Sequence, residues 1–286
     1  MKDLFRLMRP SHWIKNILIF IPAFFARNLW EPQTMKNLIL GFLCFSFVSS
    51  IVYILNDIKD REKDRMHEVK CNRPIASGAV SIRCAQHLIL FLGICAVLAS
   101  GLMKNATPYV PVIWCMVYFL LNILYSVCLK NIPIVDVSIL ASGFMIRVFY
   151  GAAVSRVTAS SWLCLTVMSF ALYMGIGKRR NELKKKGESS TRDVLQYYNV
   201  ELLDKYMMIV TALGIMYYSL WAGMVIDNQW AIWTVPLVLL IIMKYEMVIQ
   251  EDSFGDPVEV LLSDKVLSGL VLFYVLLMVM VTYVFK

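Results

Sequence analysis

LILGFLCFSFVSSIVYIL, residues 38–55, carries no charge, and NDIKDREKD, residues 56–64, follows it directly with four acids and three bases. Crossing about 30 Å of hydrocarbon takes roughly 20 mostly apolar residues in a helix. The first stretch approaches that length and lacks the period-two alternation of a barrel strand. It reads as a membrane-spanning helix, and the charged stretch reads as its aqueous mouth.

The pattern repeats outward from this pair. Apolar runs lie near residues 16–30, 36–55, 85–103, 108–127, 132–154, 161–177, 206–226, 230–243 and 266–285. The 286 residues are 59% hydrophobic and 17% charged, with a mean hydropathy of +0.65, which excludes an ordinary soluble domain. The expectation is an all-α integral membrane protein of about nine transmembrane helices, with residues 1–286 as a single domain. The shortest run, Trp230 to Met243, also suits an interfacial or buried segment. MKDLFRLMRPSHWIK is followed by no small-residue cleavage site and reads as the approach to a retained first helix. The seven cysteines form neither a CxxC nor a Cys/His pair at zinc spacing, and read as small packing residues. Trp13, Trp30, Trp162 and Trp230 lie near run ends, where indoles act as interfacial anchors.

The net charge of +8 is unevenly placed. The N-terminal arm and the loops after the second, fourth, sixth and eighth runs hold 22 of the 28 Lys and Arg; the opposite loops and the C-terminus hold five, and Arg147 lies inside a run. The positive-inside rule assigns the rich side, with the N-terminus, to the cytoplasm of a multi-pass protein of the cell (inner or plasma) membrane. Basic residues there face lipid headgroups and small anions, and no nucleic-acid partner is implied. Two loops on that side stand out for length and charge, at about 56–84 and 178–205.

If the helix of residues 38–55 continues, Asp57, Asp60 and Asp64 fall at i, i+3 and i+7, with Asn56 four residues before Asp60, so all four share a face. Converging carboxylates need a cation, and hard oxygen ligands favour Mg²⁺, with Mn²⁺ also suited. Magnesium completes its shell with water and substrate phosphates, so a diphosphate is the natural partner. The competing reading is a solvated helix end laced with salt bridges from Lys59, Arg61, Lys63 and Arg65. Downstream, Lys70 and Arg73 supply cations for phosphate oxygens, and residues Pro74 to Gly78 form a turn that folds the loop back. Arg147 lies deep in an apolar run, where a charge is costly and marks a functional candidate. Asp136 in the same run stands eleven residues away, about 16 Å along a helix, so the two require different partners.

NDIKDREKD, followed by KCNRPIASG at 70–78, resembles the NDxxDxxxD signature and RPxxxG continuation of the UbiA-type intramembrane prenyltransferase superfamily. The resemblance extends over nearly the whole chain. It implies nine helices around a central lipid-accessible cavity, a cytoplasmic cap, and Mg²⁺ with diphosphate beneath it. Most members carry a second, DxxxD motif after the sixth span. Here that place holds GKRRNEL, residues 177–183, with Glu182 as its one acid. This segment is similar to the decaprenyl-phosphate phosphoribosyltransferase branch of the superfamily, as are RPSHWIKN at 9–16, YSVCLKN at 125–131, LASGFMIR at 140–147 and GDPVEVLLSDKVL at 255–267.

That branch implies transfer of 5-phosphoribose from phosphoribosyl diphosphate to a polyprenyl (decaprenyl-type) phosphate, with release of diphosphate. Asn56, Asp57, Asp60 and Asp64 would then hold the metal, and Asp57, Asp60, Asp64 and Lys178 would serve the chemistry. Lys15, Asn16, Tyr125, Lys130 and Arg147 are candidates for the lipid phosphate. Lys70, Arg73, Lys178 and Arg179 are candidates for the sugar phosphates, and Glu182 for a ribose hydroxyl or the metal. Lys184, Lys185 and Lys186 read as a solvated charge run. The rival enzyme is an aromatic prenyltransferase of quinone or haem metabolism, against which the missing DxxxD pair counts. A transporter would instead use Arg147 as a substrate or gating charge.

Overall fold

The structure is a computed structural model that describes residues 2–67, 70–103, 109–184, 193–250 and 257–285. Lys185, Lys186 and the start of GDPVEVLLSDKVL lie outside these. The described residues are helical and contain no strand. They comprise α1 (Lys2–Met8), a 3-10 helix (Pro10–Phe20), α2 (Ile21–Phe25), α3 (Pro32–Lys59), α4 (Arg61–Arg65), α5 (Ile82–Gly101), α6 (Tyr109–Val127), α7 (Val135–Ser155), α8 (Ser161–Lys184), α9 (Val200–Met224), α10 (Val235–Gln250), α11 (Pro257–Ser263) and α12 (Lys265–Val279). Short 3-10 segments at Lys70–Asn72, Leu129–Asn131, Asp193–Tyr197 and Ala231–Thr234, and a π-helical turn at Met280–Val284, complete the order.

Eight helices among the described residues are long and apolar enough to cross a membrane: α3, α5, α6, α7, α8, α9, the segment Ala231–Gln250 and the segment Lys265–Val284. The expected first span, 16–30, is built differently. The 3-10 helix Pro10–Phe20 runs directly into α2, and Arg27 ends the segment with a left-handed φ of 58°. A 3-10 helix rises about 2.0 Å per residue against 1.5 Å for an α-helix, so residues 10–25 cover roughly 30 Å. That is enough for a crossing with fewer residues than an α-helix needs.

The chain divides into two compact units, Met1–Leu129 with Ile146–Thr158, and Lys130–Met145 with Ala159–Lys286. In the first unit α3 packs against α1, the 3-10 helix, α5 and α6. The contact with the 3-10 helix is polar as well as close. Asn16 donates to the Ser46 hydroxyl at 2.9 Å, and Ser50 accepts from Trp13 Nε1 at 3.1 Å while donating to the Met8 carbonyl at 2.8 Å. Trp13 is therefore tied to α3, whereas Trp30 and Trp230 are exposed as interfacial anchors should be. Gly151 of α7 lies against the same 3-10 helix, where an added Cβ would stand 2.0 Å from the Ile19 carbonyl oxygen. The core behind this contact is aromatic, with Phe45 in ring contact with Tyr118 and Tyr150 at centroid distances of 4.7 and 5.1 Å.

In the second unit α8 packs along α9 and touches α10, and α10 packs against α12. Short polar side chains cap two helix starts by accepting from backbone amides that the helix leaves unbonded. Asn199 accepts from the Leu202 amide and Asp264 from the Leu267 amide, both at 2.7 Å. Asp264 also pairs with Lys244 of α10 at 2.9 Å. The Lys244 ammonium and the Leu267 amide hold the Asp264 carboxyl below its ordinary value.

Candidate functional site

The charged mouth of α3 lies in the first unit. The helix does not run unbroken through the acids. It ends at Lys59, Asp60 is the junction with φ −88° and ψ 5°, and α4 follows. Backbone bonds nevertheless continue across the break, from the Asp60 amide to the Asn56 carbonyl and from the Asp64 amide to the Asp60 carbonyl, each 2.8 Å. Asp57 and Asp64 are thus both buried, at 3% and 4% exposure, while Asn56 and Asp60 are half-buried.

Two arginines meet these carboxylates. Arg73 NH1 donates to Asp57 Oδ1 at 3.1 Å and to Asp64 Oδ2 at 2.7 Å, so one nitrogen serves both acids. Arg9 NH2 donates to Asp57 Oδ1 at 2.5 Å, and its guanidinium carbon lies 5.0 Å from the centroid of the Tyr53 ring. Arg9 has a left-handed backbone, φ 51°, a conformation that costs energy in a residue with a Cβ and needs surrounding structure to hold it. The two Arg-Pro dipeptides of the chain, Arg9-Pro10 and Arg73-Pro74, therefore converge on one carboxylate. Local sequence does not mark Arg9 as a partner of Asp57, which is 48 residues away; its place in RPSHWIKN is the available signal.

The loop after α4 returns Arg73 to α3 in the way the Pro74 to Gly78 turn predicts. The Ser77 amide bonds the Arg73 carbonyl at 2.8 Å and the Val80 amide bonds that of Pro74 at 2.9 Å. Gly78 has φ +82°, which an L side chain rarely adopts. Ile75 and Val80 are buried with Leu7, Ile54, Ala85 and Leu92. Apolar burial thus fixes the loop backbone and delivers its arginine. Arg65 behaves as the salt-bridge reading expects, reaching Glu62 at 3.3 Å, but also donates from Nε to the Ala76 carbonyl at 3.1 Å. Lys59 is more than a solvated charge: its ammonium donates to the Ser126 carbonyl at the end of α6, 2.6 Å away. Lys70 is half-buried on the short 3-10 turn.

Deeper in the same unit, Arg147 is 4% exposed. Its Nε donates to Asn16 Oδ1 at 2.8 Å and its NH2 to the Tyr118 hydroxyl at 3.3 Å. Its guanidinium carbon lies 5.2 and 5.0 Å from the Phe45 and Tyr118 ring centroids, within the range of cation–π attraction. Asn16 and Arg147, two of the lipid-phosphate candidates, are brought together; Lys15 and Tyr125 are half-buried elsewhere in the unit. A cavity of about 570 Å³ opens among α3, α5, α6 and α7, lined by Cys44, Ala96, Cys115, Phe119 and Tyr150 among others.

In the second unit, GKRRNEL closes α8. Arg179 is fully buried: its Nε donates to Asp136 Oδ2 at 2.6 Å and its NH1 to Glu182 Oε2 at 2.7 Å. Tyr198 donates to Asp136 Oδ1 at 2.9 Å and accepts from the Ile134 amide at 2.5 Å. Ile134 has φ 68°, strained for a β-branched residue, so Tyr198 braces the turn that starts α7. Burial leads the causes that push the Tyr198 phenol up to about 12. Asp136 and Arg147 thus have different partners, as their separation requires. In this arrangement Arg179 serves Asp136 and Glu182, not a phosphate arriving from solvent. Lys178, Glu182 and Lys130 are half-buried, and Arg180 turns to Asp204 of α9.

Oxygen donors on Asp57, Asp60, Asp64 and Asn56 suit a hard divalent cation, and a positive charge already sits between Asp57 and Asp64. Among the described residues no three His, Cys, Asp or Glu side chains converge on one ion. The donor set fits such a cation in chemistry, with Arg73 as the charge that stands between two of its members.

A multi-span helical bundle with arginine-bridged carboxylates at the mouth of one span defines a class of integral membrane protein. Residues 17–257 match the UbiA prenyltransferase family, and the chain belongs to it. The chain is 30% identical to the decaprenyl-phosphate phosphoribosyltransferase of Corynebacterium glutamicum, over 98% of its own length and 86% of the relative's. It is 27% identical to the protein of that name in Mycobacterium tuberculosis, over 94% and 91%. Among solved structures it shares its fold with a UbiA homolog from Archaeoglobus fulgidus bound to GPP and Mg²⁺, with a TM-score of 0.72, 17% identity and coverage of 97% and 99%.

Proposed function

We propose that this protein transfers 5-phosphoribose from phosphoribosyl diphosphate to a polyprenyl, decaprenyl-type phosphate in the cell membrane, on the cytoplasmic side. One observation carries the reading: similarity to phosphoribosyltransferases runs through 98% of the chain and so covers both NDIKDREKD and GKRRNEL. In the second segment the acid Glu182 is bound by a buried arginine, in place of the acidic pair that prenyl diphosphate chemistry would use.

In the reaction an oxygen of the lipid phosphate attacks C1 of the ribose. The bond from C1 to the diphosphate oxygen breaks, and the electron pair leaves with the diphosphate. The acceptor is already an anion at neutral pH, so positioning matters more than a strong base. Mg²⁺ or Mn²⁺, bound by Asn56, Asp57, Asp60 and Asp64, would neutralise charge on the departing diphosphate. Lys70 and Arg73 hold diphosphate oxygens, and Lys178 the sugar phosphates. Glu182, oriented by Arg179, accepts from a ribose hydroxyl. Lys15, Asn16, Tyr125, Lys130 and Arg147 are assigned to the lipid phosphate, and the apolar lining of the 570 Å³ cavity is compatible with an isoprenoid chain.

Purified protein given labelled phosphoribosyl diphosphate and decaprenyl phosphate with Mg²⁺ should yield a labelled lipid. The same protein prenylating an aromatic acid from a polyprenyl diphosphate, with no labelled phosphoribosyl lipid, overturns the proposal.

A further inference from the structure

Asp57 and Asp64 are two buried carboxylates matched in charge by two arginines, with Asp60 half-buried next in the proposed donor set. A divalent cation added to that arrangement would meet two carboxylates whose charge is already offset, in a poorly solvated site, and its affinity would suffer accordingly. One arginine is built to stay. Arg9 lies over Tyr53, bonds Asp57 at 2.5 Å and is set by a strained backbone. The other is not. Arg73 reaches both carboxylates with a single nitrogen, its side chain is 31% exposed, and among the described residues its planar fork meets no bidentate acceptor. The backbone beneath it is fixed by the buried Ile75 and Val80, so only the side chain has to move.

We infer that Arg73 is an exchangeable counter-ion: it neutralises Asp57 and Asp64 until metal and diphosphate arrive, then passes from the carboxylates to the diphosphate, making the two ligands bind cooperatively. This rests on the reading of the acidic cluster as a divalent-cation site. Metal alone must displace Arg73 into solvent; metal with diphosphate gives it a bidentate anionic partner. By linkage each ligand then tightens the other by the same factor.

The test uses Mn²⁺ as a paramagnetic probe on the full-length protein in nanodiscs, with free Mn²⁺ held fixed by a metal buffer, with and without inorganic diphosphate. Wild-type protein should bind Mn²⁺ at least about tenfold more tightly with diphosphate than without. Arg73→Gln should bind Mn²⁺ alone about tenfold more tightly than wild type, with the diphosphate effect smaller than in wild type by a similar factor. Arg73→Gln binding Mn²⁺ alone no better than wild type overturns the exchange. So does a wild-type affinity indifferent to diphosphate, a result that holds even if the variant fails to fold. If wild type binds no Mn²⁺ under either condition, the metal reading itself is wrong and the inference falls with it.

Discussion

Arg179 shows how far a motif can be read from composition alone. In GKRRNEL it looks, with Lys178, like a cation available to phosphate, yet it is fully buried between Asp136 and Glu182. Removing one partner of a buried ion pair leaves the other charge uncompensated and costs about 3–5 kcal/mol. Arg179→Ala should therefore lower the thermal unfolding temperature in detergent markedly. Arg179→Lys should recover part of the loss, because a single ammonium cannot reproduce the two directed bonds. A variant as stable as wild type would show that Asp136 is not dependent on Arg179. Nothing in local sequence marks this pairing, since Asp136 lies 43 residues away and its other partner, Tyr198, 62 away.

The first apolar run is the element that hydropathy described least well. A hydropathy run reports that a segment suits hydrocarbon but not its rise per residue, so residues 16–30 read as an α-helix while residues 10–20 are 3-10. The stretched helix packs tightly on α7 at Gly151. Gly151→Ala would set a Cβ 2.0 Å from the Ile19 carbonyl oxygen, against backbone that cannot swing aside as a side chain can. Such overpacking costs about 1–3 kcal/mol or more. Gly93→Ala in α5 meets nothing within 4 Å and should be neutral or stabilising by up to ~1 kcal/mol. Unfolding followed by near-UV circular dichroism should separate the two; equal stabilities would mean that the 3-10 helix does not lie against α7.

For the molecule as a whole, charge asymmetry predicts an orientation in the membrane. Lys63 lies in the acidic mouth and Gln229 in the turn before α10, both exposed and on opposite sides by the positive-inside rule. In a cysteine-depleted background, an impermeant maleimide added to intact cells should label Gln229→Cys and spare Lys63→Cys until the membrane is opened. The reverse pattern would invert the topology and place the acidic cluster outside the cell.

By itself the sequence determined that this chain is a helical membrane protein, roughly where its spans lie, and which helix mouth carries the acids. These follow from one-dimensional quantities: the length of apolar runs, the spacing of Asp57, Asp60 and Asp64, and the distribution of Lys and Arg. Only the tertiary structure decided which charges meet. A buried charge takes whichever counter-charge packing delivers, and here delivery comes from distant elements: the strained Arg9 before the 3-10 helix, the anchored loop that carries Arg73, and α8 presenting Arg179 to Asp136.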